Sequence, residues 1–220
     1  MGKHIKDLPQ RIILWGGTGQ AKVVRPIVEH YGSKVVAVFD DTPNLASPFP
    51  DVPIFFSWSG FKNWAETQND IHEIGFCIAI GNPHGRVRLK LHEQLSNEGL
   101  KPITVIHPTA CIAEDAEIGE GSQILAGAFI GIEAKIGMQC IVNCHAIIEH
   151  ETVVEDAVEI GQNSTVLGLV HIGENTFVGA STTILARLRI GSDVTIGAGT
   201  IVSDNLRSNE KHFYFTDRPI

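Results

Sequence analysis

Reading every sixth residue from Ile106 to Val202 gives Ile106, Ile112, Ile118, Ile124, Ile130, Ile136, Val142, Ile148, Val154, Ile160, Val166, Ile172, Val178, Ile184, Ile190, Ile196 and Val202. Each is a β-branched aliphatic, and the phase never slips. Two residues earlier stands a second set, mostly small: Ala110, Ala116, Ser122, Ala128, Ala134, Cys140, Ala146, Thr152, Ser164, Thr176, Thr182 and Thr200. Glycine often follows the aliphatic, as in Ile130-Gly-Ile-Glu-Ala-Lys-Ile136. Period six is neither helical nor a long-strand alternation; it is the hexapeptide mark of a parallel β-helix. Each unit supplies a short strand and a corner. The branched residue suits the inward strand position, the small residue suits the crowded corner, and the glycine is expected to take up the corner dihedrals. Three units make one coil of about eighteen residues, with coils stacked ~4.8 Å apart. A sandwich of ordinary strands would not hold one phase this long.

Outward from the repeat, the N-terminal part reads differently. Arg11-Ile-Ile-Leu-Trp15 is a buried strand, Gly16-Gly-Thr-Gly-Gln-Ala-Lys22 a glycine turn, and Val23, Val24, Ile27, Val28 and Tyr31 a helical pattern stopped at Gly32. Lys34 to Phe39 is a second strand ending in Asp40-Asp41, so the unit is βαβ with parallel topology. Asp41 to Asp70 is expected to be irregular, broken by Pro43, Pro48, Pro50 and Pro53, with a short helix within Phe56–Glu66. Gly75 to Ile80 is a third strand, and Gly81-Asn82-Pro83 a turn. His84 to Asn97 is a helix with Val87, Leu91 and Leu95 inward. Residues 1–100 thus form a small α/β domain, about half of a full dinucleotide fold. Residues 101–203 form the coil. Residues 204–220 are a tail, polar and loop-like to Lys211, with a late aromatic patch His212-Phe-Tyr-Phe215.

Composition narrows the function. With 43% hydrophobic and 19% charged residues, the chain reads as a soluble globular protein. The net charge of −8 argues against a nucleic-acid surface. No apolar run has membrane-spanning length, and no signal peptide is evident. Cys77, Cys111, Cys140 and Cys144 show no CxxC pairing, which suits a reducing cytoplasm.

Two places carry candidate chemistry. The turn Gly16-Gly17-x-Gly19, between strand and helix, offers backbone N–H groups and a helix N-terminus to a phosphate. Asp40-Asp41 follow at the distance where an acid binds a ribose hydroxyl, although Lys22 stands at the third glycine of the usual pattern. A purely structural turn has the same appearance. In the coil, Asn143-Cys-His-Ala-Ile-Ile-Glu-His-Glu151 is the most polar interruption. His150 falls outside, near a corner, and Gly168 lies eighteen residues on, in the same phase of the next coil. Glycine leaves that histidine room, and Glu151 is placed to fix its tautomer, a general-base arrangement. A surface histidine on a solenoid face is the plainer alternative.

On these segments, together with Val38-Phe-Asp-Asp41, Ile78-Ala-Ile-Gly-Asn82, His107-Pro-Thr-Ala110 and Leu167-Gly-Leu-Val-His-Ile-Gly173, the chain resembles the bacterial sugar O-acyltransferases of the sialic-acid O-acetyltransferase type. Within that family it is most similar to the nucleotide-sugar N-acetyltransferases that act on UDP-, GDP- or dTDP-linked amino-sugars. The resemblance spans about residues 11–203. It implies an α/β Rossmann-like domain followed by an all-β left-handed parallel β-helix, a homotrimer, and acetyl-CoA as cosubstrate; coenzyme A leaves as a thiol, a step that needs no metal, so no metal ligands are expected. It implies His150 as catalytic base, Glu151 as its orienting acid and the Gly168 N–H as oxyanion donor. It places Gly16, Gly17, Gly19, Asp40, Asp41 and Asn82 around the nucleotide, and Asn143 near the acceptor. Glu159 stands where many members carry a second histidine, and Gln20 where the turn often has one. The usual terminal Gly-x-Pro-Ala segment has no counterpart in Phe213-Tyr-Phe-Thr-Asp-Arg-Pro-Ile220. The implied activity is N-acetylation of a nucleotide-linked amino-sugar, such as a 4-amino-4,6-dideoxyhexose, for surface polysaccharides. O-acylation or another acyl donor, and a non-catalytic nucleotide-sugar-binding solenoid, are the other readings.

Overall fold

A computed structural model describes residues 8–213, which fall into two compact units, one ending at Val105 and one beginning at Ile106.

The first unit is a five-stranded parallel sheet flanked by helices. Its elements are β1 (Arg11–Trp15), α1 (Gly19–His30), β2 (Lys34–Asp40), β3 (Ile54–Phe56), α2 (Ser57–Ala65), β4 (Ile74–Ile78), α3 (Gly85–Asn97) and β5 (Lys101–Pro102). The strand order is β3-β2-β1-β4-β5. Central β1 and β4 are buried on both faces, which explains their unbroken apolar sequences. Trp15, Phe39 and Phe61 form one aromatic cluster, with Trp15 and Phe39 stacked at 5.5 Å. Burial pushes the Cys77 thiol on β4 up to about 12, so it stays protonated.

The strand β3 was not expected. It is three residues long, sits at the sheet edge directly after Pro53, and pairs Val38 with Ile54. Two helix readings also change, α1 by the loss of one member and α3 by a shift of one residue. On α1, Val24 is buried while Val23 faces out. On α3, Val87 is 42% exposed and Arg88 is buried in its place, so the inward face runs Arg88, Leu91, Leu95. The Arg88 guanidinium donates to the Ile80 carbonyl at 3.2 Å.

The second unit is a left-handed parallel β-helix. Two-residue strands stack into three parallel sheets of five, six and seven strands among the described residues, counting Val105–Ile106 as the first. Ile130 pairs with Ile148, Ile148 with Val166 and Val166 with Ile184, a constant offset of eighteen. The repeated aliphatics fill the interior and most are wholly buried; Ile112 and Ile118, in the first coil, are half-buried. The small residues do more than fit. Ser122, Ser164 and Thr176 donate their hydroxyls to Gly137, Gly179 and Gly191 carbonyls at 2.8 Å, which satisfies polar atoms inside each corner.

The corners correct the expectation about glycine. The left-handed position lies three residues after the aliphatic, and recurs every six residues from Gly121 to Gly199. It is mostly not glycine: Glu133, Gln139, His145, Glu151, Ala157, Asn163, Leu169 and Arg187 all occupy it with φ between 54° and 66°. Its cost of roughly 1–2 kcal/mol per residue is offset by coil-to-coil hydrogen bonds such as Glu151 N–H to the Ile132 carbonyl at 2.8 Å. The glycine after the aliphatic serves close approach instead. A Cβ on Gly161 would stand 2.6 Å from the Ala180 nitrogen and 2.7 Å from the Val178 oxygen, both backbone. Gly161→Ala is therefore expected to force the coils apart and cost about 2 kcal/mol, the range of overpacked cores. The urea midpoint measures this, and an unchanged midpoint would refute it.

The stretch after Val202 continues the coil rather than leaving it. Leu206 is buried and bridges Ile190, and Lys211–His212 pairs with Thr195–Ile196. The Phe213 ring lies against Gly197. Tyr214, Phe215 and the rest to Ile220 lie outside the described residues, as do Met1 to Asp7.

Candidate functional sites

At the carboxyl ends of β1, β2 and β4 the first unit holds a cleft of about 490 Å³. This is where open α/β sheets bind ligands. Gly16, Asp40, Asp41 and Asn82 line it. Gly16 has φ +108°, and any Cβ there would collide with the Ala79 carbonyl, so only glycine closes this turn. Gly17 and Gly19 stand back from the wall. The Gly17 N–H donates to Asp40 Oδ2 at 2.6 Å, and Gly19 opens α1 with free space around it. Asp40 Oδ1 accepts from the Thr42 N–H at 2.8 Å. Both Asp40 oxygens thus brace the two loops, which leaves Asp41 as the exposed carboxylate of the pair. Sequence reasoning missed Thr18, His84 and Val87, which also face the cleft. The out-of-phase Val87 is legible only once Arg88 is allowed to be a core residue.

In the coil, Ile148 points inward, and His150 follows at the corner between the six-stranded and five-stranded sheets. His150 Nδ1 lies 2.9 Å from Glu151 Oε2, with both side chains about half-exposed. The other face of the ring meets Gly168: a Cβ there would lie 2.5 Å from His150 Nε2 and 2.7 Å from Cε1. The eighteen-residue stacking has brought imidazole and glycine together. The segment entering Gly168 is held by Thr152 Oγ1, which donates to the Leu167 carbonyl at 3.1 Å, and the one leaving it by Leu169 N–H, which donates to the His150 carbonyl at 3.0 Å. The Gly168 N–H itself has no partner among the described residues. A carboxylate-oriented imidazole therefore stands beside an unused backbone donor.

Other histidines show by contrast what this one has. His145 also lies over a glycine, Gly127, but that N–H is donated to Thr109 Oγ1 at 3.1 Å. His171 is 2.8 Å from Glu155 Oε1, yet it stands on a flat sheet face. Asn143 and Glu159 are not brought to His150. Asn143 is buried at the preceding corner and donates to the Ile160 carbonyl at 3.1 Å and to Glu159 Oε1 at 3.3 Å, while Gln162 donates to its Oδ1 at 3.3 Å. Among the described residues, no group of three or more His, Cys, Asp or Glu side chains is placed to hold a metal ion, and no helix is long and apolar enough to cross a membrane.

Residues 11–95 match the PglD N-terminal domain, and residues 169–204 match the bacterial transferase hexapeptide family, described as six repeats. No curated protein matches the chain. Among solved structures, the chain is similar to a histidine-to-alanine variant of GDP-perosamine N-acetyltransferase from Caulobacter crescentus in complex with CoA and GDP-perosamine, at 27% identity and a TM-score of 0.81, over 92% of each chain. PerB from the same organism, with CoA and GDP-perosamine, is 28% identical over 90% of each chain, with a TM-score of 0.80. The acetyltransferase domain of PglB from Neisseria gonorrhoeae, in complex with acetyl coenzyme A, shares the fold at 21% identity, a TM-score of 0.81, and coverage of 96% of this chain and 99% of that one.

Proposed function

We propose that this chain, an acyltransferase built from a PglD-type N-terminal domain and a hexapeptide-repeat coil, transfers acetyl from acetyl-CoA to the amine of a nucleotide-linked amino-sugar. The observation that carries the reading is the meeting of His150, Glu151 and Gly168. The likeness at 27% identity to an enzyme solved with CoA and GDP-perosamine supports it.

The chemistry follows from the three groups. The acceptor amine, in its neutral form, attacks the thioester carbonyl carbon and a C–N bond forms. His150 Nε2 takes the amine proton, while Glu151 on Nδ1 holds the tautomer and supports the imidazolium. The carbonyl oxygen becomes an oxyanion and accepts from the Gly168 N–H, worth ~3 kcal/mol by comparison with other oxyanion donors. Collapse breaks the C–S bond. The imidazolium returns its proton to the departing sulfur, so the products are an amide and free coenzyme A. No redox partner or metal is needed for that balance.

The cleft of the first unit is assigned to the nucleotide, with Gly16, Asp41 and Asn82 in its wall and Asp40 bracing its loops. Asn143 and Glu159, joined by a hydrogen bond at a corner apart from His150, are assigned to the acceptor side as a polar pair that the neighbouring subunit of a trimer would bring to the base. The sugar is read as a 4-amino-4,6-dideoxyhexose destined for surface polysaccharide. The chain is read as a cytoplasmic homotrimer, where acetyl-CoA and nucleotide-sugars are both at hand.

Free-thiol release from acetyl-CoA tests this against a panel of GDP-, UDP- and dTDP-linked 4-amino-sugars. Turnover with at least one is expected. Turnover confined to sugar hydroxyls would replace N-transfer by O-transfer. Nucleotide-sugar binding with no thiol release from any acceptor would leave a binding solenoid and end the catalytic proposal.

A further inference from the structure

The cleft in the first unit has an uneven charge inventory. Asp40 and Asp41 both line it, and among the described residues no lysine or arginine does; the single basic side chain among them in its wall is His84. His84 immediately precedes α3. Its backbone is engaged, with the N–H donating to the Gly81 carbonyl at 3.3 Å and the carbonyl accepting from the Arg88 N–H at 3.1 Å. Its imidazole is not. It does not cap the helix, and it has no hydrogen bond, ion pair or ring contact among the described residues. An exposed, unengaged imidazole thus belongs to a residue of the cleft wall whose backbone is fixed.

A nucleotide-sugar brings a diphosphate of about two negative charges into this space. The neighbouring carboxylates oppose it, and the Gly17 N–H, a natural donor for such a turn, is already given to Asp40. With that one backbone donor taken and two carboxylates beside it, a basic side chain in the wall is the complementary group for the phosphates. We infer that His84 is that group, a diphosphate-binding residue that hydrogen-bonds a phosphate oxygen of the bound nucleotide. The inference rests on the nucleotide-sugar reading above and adds to it the group that recognises the phosphates. Charge-assisted hydrogen bonds of this kind are among the stronger ones in proteins.

The test compares the unmodified chain with His84→Asn and His84→Arg. Asparagine is a favoured residue ahead of a helix, so the first variant is expected to fold. The probes are GDP, UDP and dTDP, titrated by calorimetry, and guanosine, uridine and thymidine, read by competition against the matching diphosphate. With the diphosphate that binds, His84→Asn is expected to weaken affinity about tenfold and His84→Arg to retain it, since one charge-assisted bond is lost and then replaced. Nucleoside affinity is expected to change less than twofold. Equal losses for diphosphate and nucleoside would assign His84 to the base or ribose and overturn the inference. So would unchanged diphosphate affinity in His84→Asn. If the unmodified chain binds none of the three diphosphates, the nucleotide reading itself falls, and this one with it.

Discussion

His150→Ala is expected to lower the rate of acetyl transfer about 10³-fold, within the range that a positioned general base contributes. The fold should not feel the change. The ring is half-exposed at a corner, its contacts are Glu151 and the bare face of Gly168, and the interior residue of that unit is Ile148. Thiol release should collapse while the melting temperature stays within a few degrees. The loss should fall on kcat rather than on the KM for acetyl-CoA, since the imidazole acts on the amine proton as the C–N bond forms. Glu151→Gln should cost less, because the amide can still accept from Nδ1–H while losing the charge that supports the imidazolium. A His150→Ala chain that turns over at the unmodified rate would remove the histidine from the chemistry and leave the free Gly168 N–H without a reaction to serve.

Much of this architecture was readable because a repeat states the same environment many times. One inward Ile or Val says little, but the run from Ile106 to Val202 fixes the period, the coil length and the stacking of His150 on Gly168 by counting alone. What escaped notice lacks that redundancy. The left-handed corner accepts Glu133, Asn163, Leu169 and Arg187 alike, because hydrogen bonds between coils, rather than residue type, hold it. The final coil escaped for a geometric reason. Leu206 pairs with Ile190, and His212 with Ile196, each sixteen residues apart instead of eighteen, so a reading by sixes loses them. On α3 a buried Arg88 disguised the inward face and sent the expectation to Val87. The bracing role of Asp40 was hidden because it depends on which atoms a glycine turn presents, and the acid spacing is the same either way.

Gly168→Ala is the sharper experiment, because it tests the juxtaposition and not merely the presence of a histidine. Gly168 does not have the left-handed φ of its neighbour Leu169, so alanine is tolerated by the backbone there. Its methyl would enter the space of the His150 ring, 2.5 Å from Nε2, where the obstacle is a side chain able to turn away and not a neighbouring coil. The substitution is therefore unlike Gly161→Ala: the coil should keep its stability, and the imidazole should leave its place. Turnover is expected to fall by about 10² or more, since both the proton acceptor and access to the oxyanion donor are displaced. In a His150→Ala background there is no ring to displace, so adding Gly168→Ala should cost much less than it does alone. That shortfall is the coupling between neighbours that a double-mutant cycle measures. If the two losses simply multiply, the histidine and the glycine act independently, and the active site does not lie where the two coils bring them together.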